Sequence, residues 1–233
     1  MPYAYGMFYD YYYVVLVLPV IIASLIIQAK LKSTYKKYSQ IGNMRSITGA
    51  QAARIILDYY GVYQVNIVPC AGNLTDCYDP KANEIRLSEG VFFGSSVAAV
   101  GIACHEAGHA AQHAEEYVPI KIRNSFVPVC NIGSKLSIPL LIIGMIFGFT
   151  PLVWVGIGFF AFTALFQLLT LPVEFNASSR ALKVIEATGL LTYEEKGGAA
   201  KVLRAAAMTY VAALATSVVQ LIRLILIYGK KRR

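Results

Sequence analysis

Histidine is scarce in this chain. Its 233 residues include three, and all of them, His105, His109 and His113, fall within a single short stretch. Cysteine is scarce too. Cys70, Cys77, Cys104 and Cys130 form no CxxC pair and no pattern of structural zinc ligands. Cys104 and Cys130 lie in or near helical stretches and read as packed thiols. Cys70 and Cys77 bracket CAGNLTDC and read as free thiols on the cytosolic side. No G-x-S-x-G occurs, so a serine hydrolase has no support. Acidic groups are few, 13 against 21 Lys and Arg, for a net charge of +8. That excess would suggest nucleic acid if it lined a soluble surface. It gathers beside apolar runs instead: Lys30, Lys32, Lys36 and Lys37 follow the first, and Lys230 to Arg233 follow the last. Contact with anionic lipid explains that placement, and nucleic acid is not an expected partner. The chain has no internal repeat and no low-complexity linker.

What is abundant is apolar surface. With 57% hydrophobic residues and a mean hydropathy of +0.55, the chain is too apolar for an ordinary soluble protein. Residues 11–29 carry no charge and match the ~20 residues that cross a bilayer core. They begin in tyrosines and end in lysines, which reads as an anchor and not a cleaved signal. Tyr9 and Tyr11 to Tyr13 suit the membrane interface. Leu136 to Phe149 and Leu152 to Leu171 read as a transmembrane hairpin turning at Thr150-Pro151, the first run being short for a span. The last apolar run holds Gln220 and Arg223, which are costly at mid-membrane, and a span there would export the basic tail. Either it spans with Arg223 facing the bundle, or it lies partly in the interface; the span is preferred.

Between these runs, Thr48 to Tyr60 has helical spacing with Thr48 as a cap and Gly61 as a stop. Val65 to Val68 and Glu84 to Leu87 read as short strands joined by the turn-rich Asn73 to Asn83. A helix starts near Ser95 or Ser96 and runs to about Glu116. Glu174 opens a polar helix closed by Gly189, and another begins near Thr192. The expected fold is a mainly α membrane protein: transmembrane helices plus a small cytoplasmic α+β core of short sheet, motif helix and Glu-bearing helix. The expected organisation is an anchor at 1–30, a catalytic region at 31–135, a transmembrane hairpin at 136–171, cytoplasmic helices at 172–208, and a transmembrane or interfacial helix with basic tail at 209–233. Spans at 11–29, 136–149 and 152–171 would leave 30–135 and 172–204 on one side, which the lysines after the first span mark as cytoplasmic.

The histidine stretch is AVGIACHEAGHAAQHAEEY, residues 99–117, and its core is H-E-x-x-H. His105 and His109, four apart, share one helical face and can offer nitrogens to one metal. Glu106 can reach a water held there. Two His and a carboxylate with an open position is the arrangement of catalytic zinc in peptide hydrolysis. His113 would lie about 12 Å along the axis from His105, too far to share the ion. It reads as an orienting or substrate-side group. The third ligand must be acidic, and after the hairpin the candidates are Glu174, Glu186, Glu194 and Glu195. Glu174, in LPVEFNASSRA, has the most distinctive surroundings. The alternative reading is a non-catalytic metal-binding membrane protein or transporter. Transporters hold their ligands near the midplane, whereas this motif lies outside the expected spans.

HEAGHAAQH, the hydrophobic hairpin and LPVEFNASSRA, led in by LTDCYDPKANEIRLSEGVFFGSSVAAVGIACHE, resemble the bacterial membrane-bound neutral zinc metallopeptidases of the YugP-like kind. The resemblance runs from about Thr48 to Arg223. That family is similar in turn to the HtpX-type and CAAX-processing membrane proteases, whose third ligand is the Glu of E-x-x-A-D. Glu174 and Ala177 match, with Ser178 where those relatives carry Asp. The resemblance implies a gluzincin-like core and one Zn2+ per chain held by His105, His109 and Glu174. It also implies a membrane-embedded endopeptidase using a zinc-activated water, with Glu106 as general base. In that family a His commonly stands where this chain has Cys77, so Cys77 is a candidate extra ligand. His113, Arg180, Tyr78 and Asn176 are candidates for orienting the ligands or stabilising the transition state; Arg180 could instead pair with Glu186. The EIRL strand is expected as a sheet edge able to pair with substrate. Expected partners are a peptide or membrane-protein substrate and the lipid bilayer, at the cell membrane, multi-pass, with the active site on the cytoplasmic side. Homo-oligomerisation stays open.

Overall fold

The structure, a computed structural model, describes residues 10–229. The expectations for Tyr9 and for Lys230 to Arg233 lie outside the described residues. Four helical stretches are long and apolar enough to cross a membrane: Tyr13–Ser39, Val118–Ile146, Thr150–Ala187 and Tyr193–Gly229. With one small three-stranded sheet beside them, the chain is a mainly α membrane protein. It divides into two compact units.

One unit comprises the described residues of Met1–Gln28, Ile122–Leu171 and Thr209–Arg233. Helix α1 (Leu18–Ser39) follows a π-helical turn at Tyr13–Val17. Helices α5 (Val118–Ile146) and α6 (Thr150–Ala187) form the expected hairpin, but the turn lies at residues 147–149 and not at Thr150-Pro151. Gly148 adopts φ +66°, the left-handed geometry that ends a helix cheaply. Thr150 and Pro151 belong to the first turn of α6, where a proline's missing N–H has no intrahelical partner to lose. Helix α5 begins well before the apolar run and passes through Pro128 and Pro139, so its length of about 44 Å is ample for a span. Leu141, Val153, Ile157 and Leu224 form this unit's core, the last from α7 (Tyr193–Gly229). Arg223 turns inward: its Nε donates to Asp10 Oδ2 at 2.9 Å, and its guanidinium sits 5.1 Å from the Tyr13 ring centre. That is the inward-facing alternative expected of a spanning helix.

The other unit is Ala29–Lys121 with Pro172–Met208. Helix α2 (Gly49–Tyr59) starts on a capping box in which Thr48 accepts from Gln51 N and Gln51 reaches back to Thr48 N. Its apolar face buries Ala52, Ala53, Ile56 and Leu57. Strands β1 (Asn66–Cys70), β2 (Cys77–Asp79) and β3 (Glu84–Ser88) form a sheet in the order β1-β3-β2, with β1 parallel and β2 antiparallel to β3. The EIRL strand is therefore central, correcting the expectation of an edge. The segment read as turn alone supplies a third strand, and Asp79 Oδ1 then accepts from Lys81 N and Ala82 N to close the turn into β3. Ile85 and Leu87 are fully buried, as a central strand requires.

A single turn, α3 (Glu89–Phe92), leads to α4 (Val97–Ala114), the motif helix, capped by Ser96 accepting from Ala99 N. Its first half is buried except at Ile102, which is half-buried, as its apolar sequence demands. Ile56, Leu57, Ile85, Leu87, Val97, Val100, Ile185 and Leu190 share one core, each Leu or Ile stabilising it by about 1.5–3 kcal/mol. A second correction concerns Glu174. It does not open a new helix; α6 runs unbroken through Pro172. A proline removes one hydrogen bond from the ladder and kinks it, and the helix formers on both sides carry it onward. Helix α7 is likewise continuous, its first turn boxed by Thr192 and Glu195.

Candidate metal centre

The centre is assembled where α4 packs on the polar part of α6. Gly108, the fourth residue of HEAGH, makes that approach possible: a Cβ there would lie 2.7 Å from the carbonyl oxygen of Ala177. With the two backbones this close, Glu174, one turn before Ala177, reaches the motif histidines. Its Oε2 lies 3.4 Å from His105 Nε2 and 3.7 Å from His109 Nε2. The two imidazoles are 4.6 Å apart at 80°, edge to face. Tetrahedral bonds of ~2.0–2.1 Å place ligand atoms about 3.3–3.4 Å apart, so these three atoms fit one zinc ion. All three residues are shielded, Glu174 being 5% exposed and His109 9%.

Each imidazole is held by its other nitrogen. His105 Nδ1 lies 3.1 Å from Ser178 Oγ, and His109 Nδ1 lies 3.0 Å from Gln112 Oε1. That leaves both Nε2 atoms for a metal. Ser178, at the position where the E-x-x-A-D resemblance would put an Asp, offers a neutral hydroxyl. Burial alone would lower the His109 pKa, but the hydrogen bond to Glu174 and the nearby Glu106 carboxylate outweigh it, so the imidazole titrates above its ordinary value. Burial likewise raises the Glu174 carboxyl, yet hydrogen bonds from His105 and His109 hold it well below the usual carboxylate range. A divalent cation bound at Nε2 would displace the proton that the raised His109 pKa retains.

The remaining candidates fall in three places. Glu106 is buried on α4 beside the ligands, near enough for its charge to act on His109 and on the Cys77 thiol. Cys77 is exposed on β2, outside the three-residue cluster; burial of its sulfur and the Glu106 charge both push its thiol up. His113 and Tyr78 meet edge to face at 6.0 Å, in a cleft of about 470 Å³ lined also by Tyr60, Asn83 and Glu115. Arg180 is not free for a substrate oxygen. Its Nε donates to Asn176 Oδ1 at 2.7 Å and its Nη1 to Glu115 Oε2 at 2.6 Å, while Tyr60 and Tyr117 flank its guanidinium. Glu186, the other partner considered for Arg180, pairs with Lys196. Sequence reasoning missed Gln112 and undervalued Ser178. Both could have been found by periodicity, since Gln112 lies three residues past His109 and Ser178 four past Glu174.

Comparison with known proteins agrees with this geometry. Residues 13–229 match the family described as "Putative neutral zinc metallopeptidase". The chain is 45% identical over 201 residues to a Bacillus subtilis (strain 168) protein named "Putative membrane protease YugP", covering 86% of this chain and 89% of that protein. No solved structure matches.

Proposed function

The chain belongs to that neutral zinc metallopeptidase family, and from this premise we propose that it is a membrane-embedded endopeptidase with Glu106 as its general base. The observation that carries the proposal is the convergence of His105 Nε2, His109 Nε2 and Glu174 Oε2, with Glu106 next to the first ligand on the same helix. Zinc, when held by these three residues, supplies a Lewis acid that acidifies water and polarises a carbonyl. Glu106 takes the proton of the attacking water and delivers it to the leaving amine. Glu174 and the two imidazoles stay fixed through that transfer, because Ser178 and Gln112 hold the rings and Gly108 seats α6. Among the described residues β1 and β2 are both edge strands of this sheet, and β2, which carries Tyr78 and lies near Glu106, is the edge this reading gives to an extended substrate backbone. Tyr78, on β2, and His113 border the cleft beyond it and are the side chains set to meet substrate.

Substrates in this reading are peptides or membrane proteins. The segments bearing the centre, 29–121 and 172–208, follow the first and third spans and so share one side. Lys30, Lys32, Lys36 and Lys37 favour the cytoplasm for that side. The test is zinc content of the detergent-purified protein beside casein hydrolysis, for wild type, Glu174→Gln and Glu106→Gln. The expected result is about one zinc per chain in wild type, weakened binding in Glu174→Gln, and zinc retained without hydrolysis in Glu106→Gln. Full occupancy in Glu174→Gln would remove that ligand from the centre, and an active Glu106→Gln would remove the base.

A further inference from the structure

Gln112 is fully buried one turn past His109, and each polar atom of its amide has a partner. Its Nε2 donates to the Val173 carbonyl at 2.9 Å and to Asn176 Oδ1 at 2.9 Å. The Val173 oxygen can only accept, so the amide nitrogen must face it, and the opposite atom, Oε1, must face His109. An amide oxygen accepts only. His109 therefore presents Nδ1–H to Gln112, which leaves the Nε2 lone pair for the metal. Asn176 is constrained in the same way from the far side, because Arg180 Nε donates to the same Oδ1 at 2.7 Å. Arg180 is in turn held by Glu115, the residue that caps α4. His105 lacks such a lock: the Ser178 hydroxyl can donate or accept, and so accommodates either tautomer.

We infer that Gln112 is the positioning residue that sets the tautomer and ring orientation of His109, with Asn176 and Arg180 keeping its amide from turning over. The inference rests on the zinc reading of the centre. It assigns two of the candidate groups, Arg180 and Asn176, to ligand orientation and not to the transition state. It also makes the two histidines unequal, His109 being preset for metal and His105 adaptable.

The experiment measures zinc affinity of the full-length protein in detergent by competition with a chromophoric chelator. Gln112→Met keeps the volume of the side chain and removes its hydrogen bonds. The expected result is zinc binding weaker by about 10–100-fold, with a smaller loss in Ser178→Ala, and hydrolysis by Gln112→Met recovering as zinc is raised while KM stays put. A side chain that merely fills space would leave zinc affinity unmoved. Should Gln112→Met fail to fold, Asn176→Asp and Asn176→Leu carry the test. The aspartate still accepts from Gln112 and Arg180 and should keep wild-type affinity, whereas leucine should lose it; equal affinities overturn the inference. Tight wild-type binding that depends on His109, together with unchanged affinity in Gln112→Met, overturns the positioning role alone. Wild-type affinity in His109→Ala overturns the centre itself, and this inference with it.

Discussion

Replacing Gly108 by alanine adds one methyl group where two helix backbones touch. The new Cβ would stand 2.7 Å from the Ala177 oxygen and 3.3 Å from its carbonyl carbon and Cα. Carbon and oxygen tolerate about 3.3 Å, so α6 must retreat by roughly 0.6 Å. No rotamer change relieves the contact, because the opposing atoms are backbone. Overpacking of this kind costs about 1–3 kcal/mol. Glu174 lies three residues from Ala177 on the same rigid helix, while metal–ligand bonds tolerate only about 0.2 Å. The strain should therefore be relieved at the expense of the centre, and 1–3 kcal/mol corresponds to zinc binding weaker by about 5–150-fold. The assay is chelator competition, with the Tm of zinc-loaded and metal-free protein measured beside it. Gly197→Ala is the control, since a Cβ there meets nothing within 4 Å; it should gain up to about 1 kcal/mol of helix stability and leave zinc affinity alone. A Gly108→Ala protein with wild-type zinc affinity and Tm would refute the close-approach argument.

Two further outcomes follow from the electrostatics. His109 titrates above its ordinary 6.5 in the metal-free chain, whereas Glu174 titrates low and stays ionised across the neutral range. Zinc must therefore displace a proton from His109 at any pH below its raised value. Affinity should rise about tenfold per pH unit up to that point and then level off; a flat profile below pH 6.5 would contradict the assignment. In the apolar unit, Arg223 is 4% exposed and paired with Asp10. Arg223→Leu alone leaves the part-exposed Asp10 carboxylate without its partner and should cost about 1.5–3 kcal/mol, most of it recovered when Asp10→Leu is added. Equal losses in single and double variants, followed by unfolding in detergent, would show that the pair is not coupled.

The family and its metal were legible because the signals are local, compositional or carried by a matching segment. H-E-x-x-H places two nitrogens on one helical face whatever surrounds it, and Glu174 followed from the need for an acid and from the matching segment. Four apolar stretches were readable for a like reason, since crossing a bilayer is a matter of length and hydropathy. The strand order was not legible. EIRL alternates like a half-exposed edge strand, yet Cys77–Asp79, too short to show a period, pairs beside it and makes it central. The break expected at Pro172 was misplaced because a proline signals a lost hydrogen bond, and whether a helix survives that loss depends on its packing.

By itself the sequence determined the membrane character, the H-E-x-x-H helix and the resemblance to the neutral zinc metallopeptidases. Periodicity, composition and residue chemistry need no third dimension to express that. Tertiary structure alone decided which groups orient the ligands. Gln112 and Asn176 stand 64 residues apart, and Arg180 and Glu115 stand 65 apart. Hydrogen bonds across such separations exist only once Gly108 lets α6 lie against α4, because a polar side chain carries no mark of its partner until packing removes the water that would otherwise serve.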